Sequence, residues 1–243
     1  MFGKLVSGGL ALGVSLALAL PATASEKREE FVFDTYVSGL KVGVVRFNAV
    51  EKGNSYALAG NMNTAGLVGF LHKMAYEAGA RGTVRGNSFG PSRYTESGYS
   101  GRWKTDVAVE WSGGVPRMTK HEPPLEPQPH HANPQGERGS IDTLTALYAT
   151  LRALPPEQAC TGSWKLFDGR QGATLRLHSP TKAGDRVDCK GEYRRRSGFT
   201  AEELASRTVF PFALSYAPTE DGKLRVVELT TASTMGNVRM IRR

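Results

Sequence analysis

Residues Trp103 to Trp111 alternate without a break. Trp103, Thr105, Val107, Val109 and Trp111 fall on one side of an extended chain, and Lys104, Asp106, Ala108 and Glu110 fall on the other. A period of two with one largely apolar face is the signature of a half-buried strand. Ser112-Gly113-Gly114 then turns the chain back into Val115 to Lys120. The pattern also occurs earlier. Phe31, Phe33 and Thr35 alternate with Val32, Asp34 and Tyr36, Ser38-Gly39 allows a turn into Lys41 to Val50, and Lys52-Gly53-Asn54 leads into Tyr56 to Met62. Short alternating runs joined by tight turns predict an antiparallel meander.

Two segments break the β pattern. Ala65 to Met74 can form a short helix with Leu67, Phe70, Leu71 and Met74 on one side. Ser140 to Leu154 is the stronger helix. Ser140 can cap it, Asp142 suits its positive first turn, and Ile141, Leu144, Leu147, Tyr148 and Leu151 form one apolar stripe. Arg152 suits the negative end, and Pro155-Pro156 stops it. Between strand and helix, His121 to Arg138 is rich in proline with no apolar period, so it is expected as an extended loop. Gly162 to Phe167, Thr174 to Ser179 and Arg186 to Tyr193 read as strands, with a turn at Asp168-Gly169. Thr208 to Arg243 holds up to three more, separated at Pro218 to Lys223 and near Gly236. The expected fold is mainly β with one or two helices: a curled antiparallel sheet, a half barrel or β-spiral, wrapping an amphipathic helix.

Residues 1–24 read as a cleavable signal peptide. Lys4 supplies the positive start, Leu5 to Leu20 is nearly all apolar or small, and Pro21 precedes Ala22-Thr23-Ala24, which is small at both positions that signal peptidase requires. The apolar run is shorter than the ~20 residues of a spanning helix, which disfavours an uncleaved anchor. Residues 25–243 are then expected as a single periplasmic β-rich domain, peripheral rather than integral to the membrane. In an oxidising compartment the two cysteines, Cys160 and Cys189, read as one disulfide. Closing that loop is worth ~3 kcal/mol in the chain-entropy model. The net charge of +8 suits anionic head groups, although simple solubility explains it as well.

Several fragments, taken in order, resemble a family of exported proteins built on a domain of unknown function. They are Tyr36-Val37-Ser38-Gly39-Leu40-Lys41-Val42-Gly43, Thr64-Ala65-Gly66-Leu67, Gly90-Pro91-Ser92-Arg93-Tyr94, the run Asp142 to Arg152, Phe167-Asp168-Gly169-Arg170, and Cys189. The resemblance implies an envelope protein of Gram-negative bacteria with a curled antiparallel sheet. At the level of architecture it is similar to half-barrel carriers of lipoproteins and to β-spiral envelope-integrity proteins. It carries over no catalytic residue.

Candidate sites are few. Gly86-Asn87-Ser88-Phe89-Gly90 matches the Gly-x-Ser-x-Gly string of serine hydrolases, but that motif needs a helix after the serine, and here a strand follows. His121, Glu122, Glu126, His130 and His131 carry metal-ligating groups, yet a proline-rich loop does not preorganise them. No metal or cofactor is therefore expected. Arg194, Arg195 and Arg196, with Arg239, Arg242 and Arg243, make basic clusters suited to phosphate or other anions, or else solvated turns. Phe47, Phe70, Trp103, Trp111 and Tyr148 can line a pocket for an apolar ligand or simply fill the core, and periodicity does not separate the two. His72 and His178 are isolated.

These readings favour a non-enzymatic envelope protein that binds a lipid, a lipoprotein or a protein partner. The alternatives are a scaffold with a filled core, and a hydrolase using Ser88 or a metal at His121, His130 and His131. Export makes a nucleic-acid partner unfavourable.

Overall fold

The structure, a computed structural model, describes residues 26–64, 75–233 and 235–243. The leader and the helix expected over Ala65 to Met74, with Phe70 and His72, lie outside the described residues.

Thirteen strands form one antiparallel sheet. The first seven are β1 (Glu26–Val37), β2 (Leu40–Lys52), β3 (Ser55–Thr64), β4 (Ala75–Arg85), β5 (Ser88–Tyr99), β6 (Lys104–Ser112) and β7 (Val115–Glu122). The last six are β8 (Ser163–Phe167), β9 (Gly172–Ala183), β10 (Arg186–Ser197), β11 (Val209–Pro218), β12 (Leu224–Ser233) and β13 (Gly236–Arg242). Each run pairs with its sequence neighbours. The two runs are joined where β13 pairs with β1, with Phe33 opposite Arg242 and Val37 opposite Val238. The edges are therefore β7 and β8. The chain between them turns inward through a 3-10 turn (Pro134–Glu137) and helix α1 (Thr143–Leu151). Gly139 N–H donates to Gly114 C=O beside β7, and Ile141 exchanges hydrogen bonds with Lys165 and Phe167 on β8. This segment occupies the seam, so the curled sheet is nearly a closed barrel. The expected curled sheet wrapping a helix is what is observed.

Helix α1 is shorter than the sequence pattern suggests, and its cap differs. Ile141 is drawn into pairing with β8 and the Ser140 N–H donates back to Glu137 C=O, which leaves Asp142 as the N-cap; its Oδ1 accepts from Thr145 N–H at 2.7 Å. At the other end, Leu154 exchanges hydrogen bonds with Leu224 of β12 instead of continuing the helix. Inside a barrel the helix is buried nearly all round, not along one stripe. Thr145 and Thr150 sit in the core because their hydroxyls donate locally, to Asp142 Oδ2 and to Ala146 C=O. Gly60 on β3 makes room for the helix: a Cβ there would meet Phe47 Cβ at 2.9 Å and Leu144 Cδ1 at 3.3 Å.

Antiparallel connectivity sorts the hairpins to two ends. The turns at Gly53-Asn54, Gly86-Asn87, Gly113-Gly114, Gly184-Asp185 and Glu220-Asp221 share one end. That end is plugged. Phe31 stacks on Phe47 at 4.1 Å, and Tyr148 meets Phe31 and Phe89 edge to face. The Tyr148 hydroxyl donates to Glu51 at 2.7 Å, and Arg152 donates to Gly86 C=O at 2.5 Å while lying over the Phe89 ring. Trp164 Nε1, on β8, donates to Asn87 C=O across the seam. The disulfide Cys160–Cys189 ties the helix exit to β10. The opposite end carries the turns at Ser38-Gly39, Ser100 to Trp103, Asp168 to Gln171 and Met235, together with a second helix, α2 (Ala201–Ser206), between β10 and β11.

Candidate ligand pocket

The inner face of β11 is apolar at every second residue: Phe210, Phe212, Leu214 and Tyr216. Leu214 and Tyr216, toward the plugged end, are buried, and Tyr216 donates to Thr150 C=O of α1. Phe210 and Phe212, toward the other end, are only partly buried. They face a pocket of about 550 Å³ between α1 and strands β8 to β12. Its apolar lining includes Leu147, Leu175, Tyr193, Phe210, Phe212 and Leu229. Leu147, half-buried at the edge of the core, is the largest helix side chain that lines this space. The volume lies within the range of small-ligand sites, and the lining has their character: apolar walls with few polar groups.

Arg195 supplies the cation at the pocket. Its Nη1 donates to the carbonyls of Glu203 and Arg207, at 2.7 and 3.0 Å, and the guanidinium lies over the rings of Phe199 and Phe210 at 4.9 Å. It forms no ion pair among the described residues within 4 Å. Helix α2 is held in place by a capping box, Thr200 with Glu203, so the carbonyls that anchor Arg195 are themselves fixed.

Above the plugged core, two polar clusters meet the start of α1. Thr145 Oγ1 gives its proton to Asp142 Oδ2 at 2.6 Å, so Tyr56 must donate to Thr145 across 2.9 Å. Burial raises the Asp142 carboxyl to about 6, against the pull of the Thr145 hydrogen bonds. Tyr76 and Tyr94 both donate to Glu96, and Thr143 donates to the Tyr94 oxygen at 2.8 Å. Desolvation and the Glu96 charge push both phenols well above their usual range. These groups are fully engaged with one another.

The residues singled out in the sequence are dispersed. Phe47 and Tyr148 are core residues of the plugged end. Trp103 is 73% exposed at the β5–β6 tip, because it precedes β6 and so escapes the strand's buried face. Trp111 packs against the core near the β6–β7 turn. None of these four lines the pocket. Arg194, Arg195 and Arg196 stand in strand β10 and not in a turn, so they alternate. Arg194 pairs with Glu192 outside, Arg195 turns to the pocket, and Arg196 donates to Glu137. They do not form one anion patch. Glu137, only 2% exposed, also accepts from Ser197, which latches the proline-rich loop to β10. Arg239 pairs with Glu228 and Arg243 with Asp34, while Arg242 packs over Phe31.

Ser88 is exposed at the start of β5, directly after the Gly86-Asn87 turn, and no helix follows. The His121 ring contacts Pro123 C=O, and His131 Nδ1 accepts from Gln128 N–H. Among the described residues, no three His, Cys, Asp or Glu side chains are grouped to hold a metal. No described helix is long and apolar enough to cross a membrane. The pocket lining that the sequence reading passed over had a visible signal, the alternation of aromatic residues at Phe210 and Phe212.

Residues 32–197 match the family model described as "Protein of unknown function (DUF3108)". The chain belongs to that family. The DUF3108 match ends with β10, so β11 to β13, which supply Phe210, Phe212 and Leu229 and join the sheet to β1, lie beyond it. No curated protein matches the chain. Among solved structures it is similar to a beta-barrel-like protein of domain of unknown function DUF1849 from Brucella abortus. That likeness has 8% identity and a TM-score of 0.48, over 91% of this chain and 96% of that one.

Proposed function

We propose that this is a non-enzymatic protein of the bacterial envelope, exported by its leader, which holds the apolar chain of a lipid or lipoprotein inside its barrel. The observation that carries this reading is the pocket of about 550 Å³ between α1 and β8 to β12, with aromatic and aliphatic walls and Arg195 at its side. Apolar walls favour a hydrocarbon chain through burial, at roughly 25 cal/mol for each Å² removed from water. The part of the Arg195 guanidinium not engaged by backbone carbonyls suits a carboxylate or phosphate head group. The disulfide agrees with an oxidising compartment.

The test is to purify the protein from the periplasm of producing cells and extract it for mass spectrometry. The expected result is a co-purified acyl compound near one per protein, and a higher melting temperature when envelope lipids are added back. A protein that carries no such compound and gains no stability from any envelope lipid contradicts the reading. That second result fits a scaffold instead, an alternative favoured by the filled core of the plugged end.

A further inference from the structure

Five large hydrophobic side chains are exposed among the described residues: Leu40, Met62, Tyr99, Trp103 and Met235. All five belong to the same end of the barrel. Leu40 follows the β1–β2 turn, Met62 lies near the end of β3, Tyr99 and Trp103 flank the β5–β6 turn, and Met235 stands just before β13. The Ser38 N–H donates to Asn237 C=O at 2.9 Å, which sets the Leu40 and Met235 tips side by side. The hairpin turns of the plugged end expose no such residue, only Gly, Asn, Asp and Glu at their tips with Lys52, Arg85 and Arg186 beside them. Scattered exposed hydrophobics need no explanation, but their confinement to one rim does.

We propose that this rim is a docking surface for an anionic lipid bilayer. The form of the rim fits a bilayer better than a pocketed protein partner. The side chains project from separate hairpin tips and do not line a groove, so what covers them must be broad and deformable. The chemistry points the same way. Trp103, 73% exposed, is flanked by exposed Arg102 and Lys104 at the tip of one hairpin. Indole rings settle at the interface between head groups and hydrocarbon, and long cationic side chains reach outward to phosphates. Arg102 forms no ion pair among the described residues, and Lys104 has only Asp106 at 3.4 Å. Leu40 and Met235, at 70% and 74% exposed, give the same rim a second insertion point, with Lys41 beside Leu40. A net charge of +8 adds long-range attraction to an anionic surface.

Docking by this rim does not depend on the pocket being occupied, so the two are tested separately. Protein purified from cells producing the full chain is mixed with vesicles of phosphatidylethanolamine, with and without phosphatidylglycerol, and sedimented. The expected result is partition onto the phosphatidylglycerol vesicles, weakened by salt, with tryptophan emission quenched by brominated acyl chains and that quenching lost in Trp103→Ala. Trp103→Ala should weaken partition at least about tenfold, the loss expected for one large side chain leaving an apolar phase. The combination Leu40→Ser, Trp103→Ser and Met235→Ser should abolish partition while keeping the melting temperature and the capacity for a soluble acyl probe. Wild-type protein that stays in the supernatant with both vesicle types overturns the proposal. So does a triple variant that partitions like wild type. A concentration-dependent dimer that shields Trp103 from a soluble quencher, with no vesicle binding, also overturns it and makes a second copy of the chain the occupant.

Discussion

The two ends of this barrel are built from the same kind of hairpin, yet they differ in every other respect. At one end, α1 and the rings of Phe31, Phe47, Phe89 and Tyr148 fill the lumen, and Arg152 and Trp164 both donate to the Gly86-Asn87 turn. At the other end, the inward side chains stop short of filling the space, leaving the pocket beside Phe210 and Phe212, and the turns carry the exposed hydrophobics. Stability is concentrated where the helix is, and surface chemistry where it is not. A helix of nine residues spans about 13 Å at 1.5 Å per residue, too short to fill the length of a barrel whose strands run to 13 residues.

The contrast can be broken by paired truncations. Phe47→Ala at the plugged end should cost about 3–5 kcal/mol, because the ring is fully buried and stacked and its loss leaves a cavity. Phe212→Ala, facing open pocket, should cost roughly 1–2 kcal/mol, because less area returns to water and no enclosed void forms. Urea denaturation of both variants measures the difference; equal losses would remove the distinction between the ends. Replacing Cys160 and Cys189 with Ser should lower stability by about 3–4 kcal/mol, as expected for a loop of 29 residues near the plugged end.

A pH series sharpens the comparison. The Asp142 carboxyl is raised to about 6 by burial. Its unfolded value is near 3.9. The fold therefore holds the proton more tightly than the unfolded chain does. The stability it contributes is complete below about pH 3.9 and is lost as pH rises to about 6, by something of order 3 kcal/mol. Asp34 has the opposite sign. Hydrogen bonds from Arg243 and then Lys41 hold it down to about 2, so its contribution is present above about pH 3.9 and is lost on further acidification. Asp142→Asn should flatten the fall in stability between about pH 4 and about pH 6.5, measured by urea midpoints, and leave the limb below about pH 3.9 unchanged. The smallest effect is expected at the open rim. Trp103→Ala should change stability by less than about 0.5 kcal/mol, since that ring packs against little.

Much of this arrangement could be read from local patterns. The alternation from Trp103 to Trp111 placed β6 within a residue, and three terminal strands stand where Thr208 to Arg243 suggested. β4 was silent because its inward positions Ala78, Ala80 and Gly82 are small, which blurs the apolar period. Helix α2 carried a readable signal, the Thr200-x-x-Glu203 capping box, but it is too short to show a stripe. The pairing of β13 with β1 joins residues some 200 positions apart, and no local period encodes that contact. For the same reason periodicity did not separate core aromatics from pocket lining. Which aromatics fill the core and which face open space depends on where the helix ends inside the closed sheet.

The proposed ligand is one acyl chain in the space beside Leu147. It is tested most directly by titrating delipidated protein with a fluorescent fatty-acid probe, comparing wild type with Leu147→Trp, in which the indole occupies the pocket. The expected result is saturable binding near one probe per wild-type protein, and its loss in Leu147→Trp with the melting temperature retained. Equal binding by both proteins, or none by either, would contradict it.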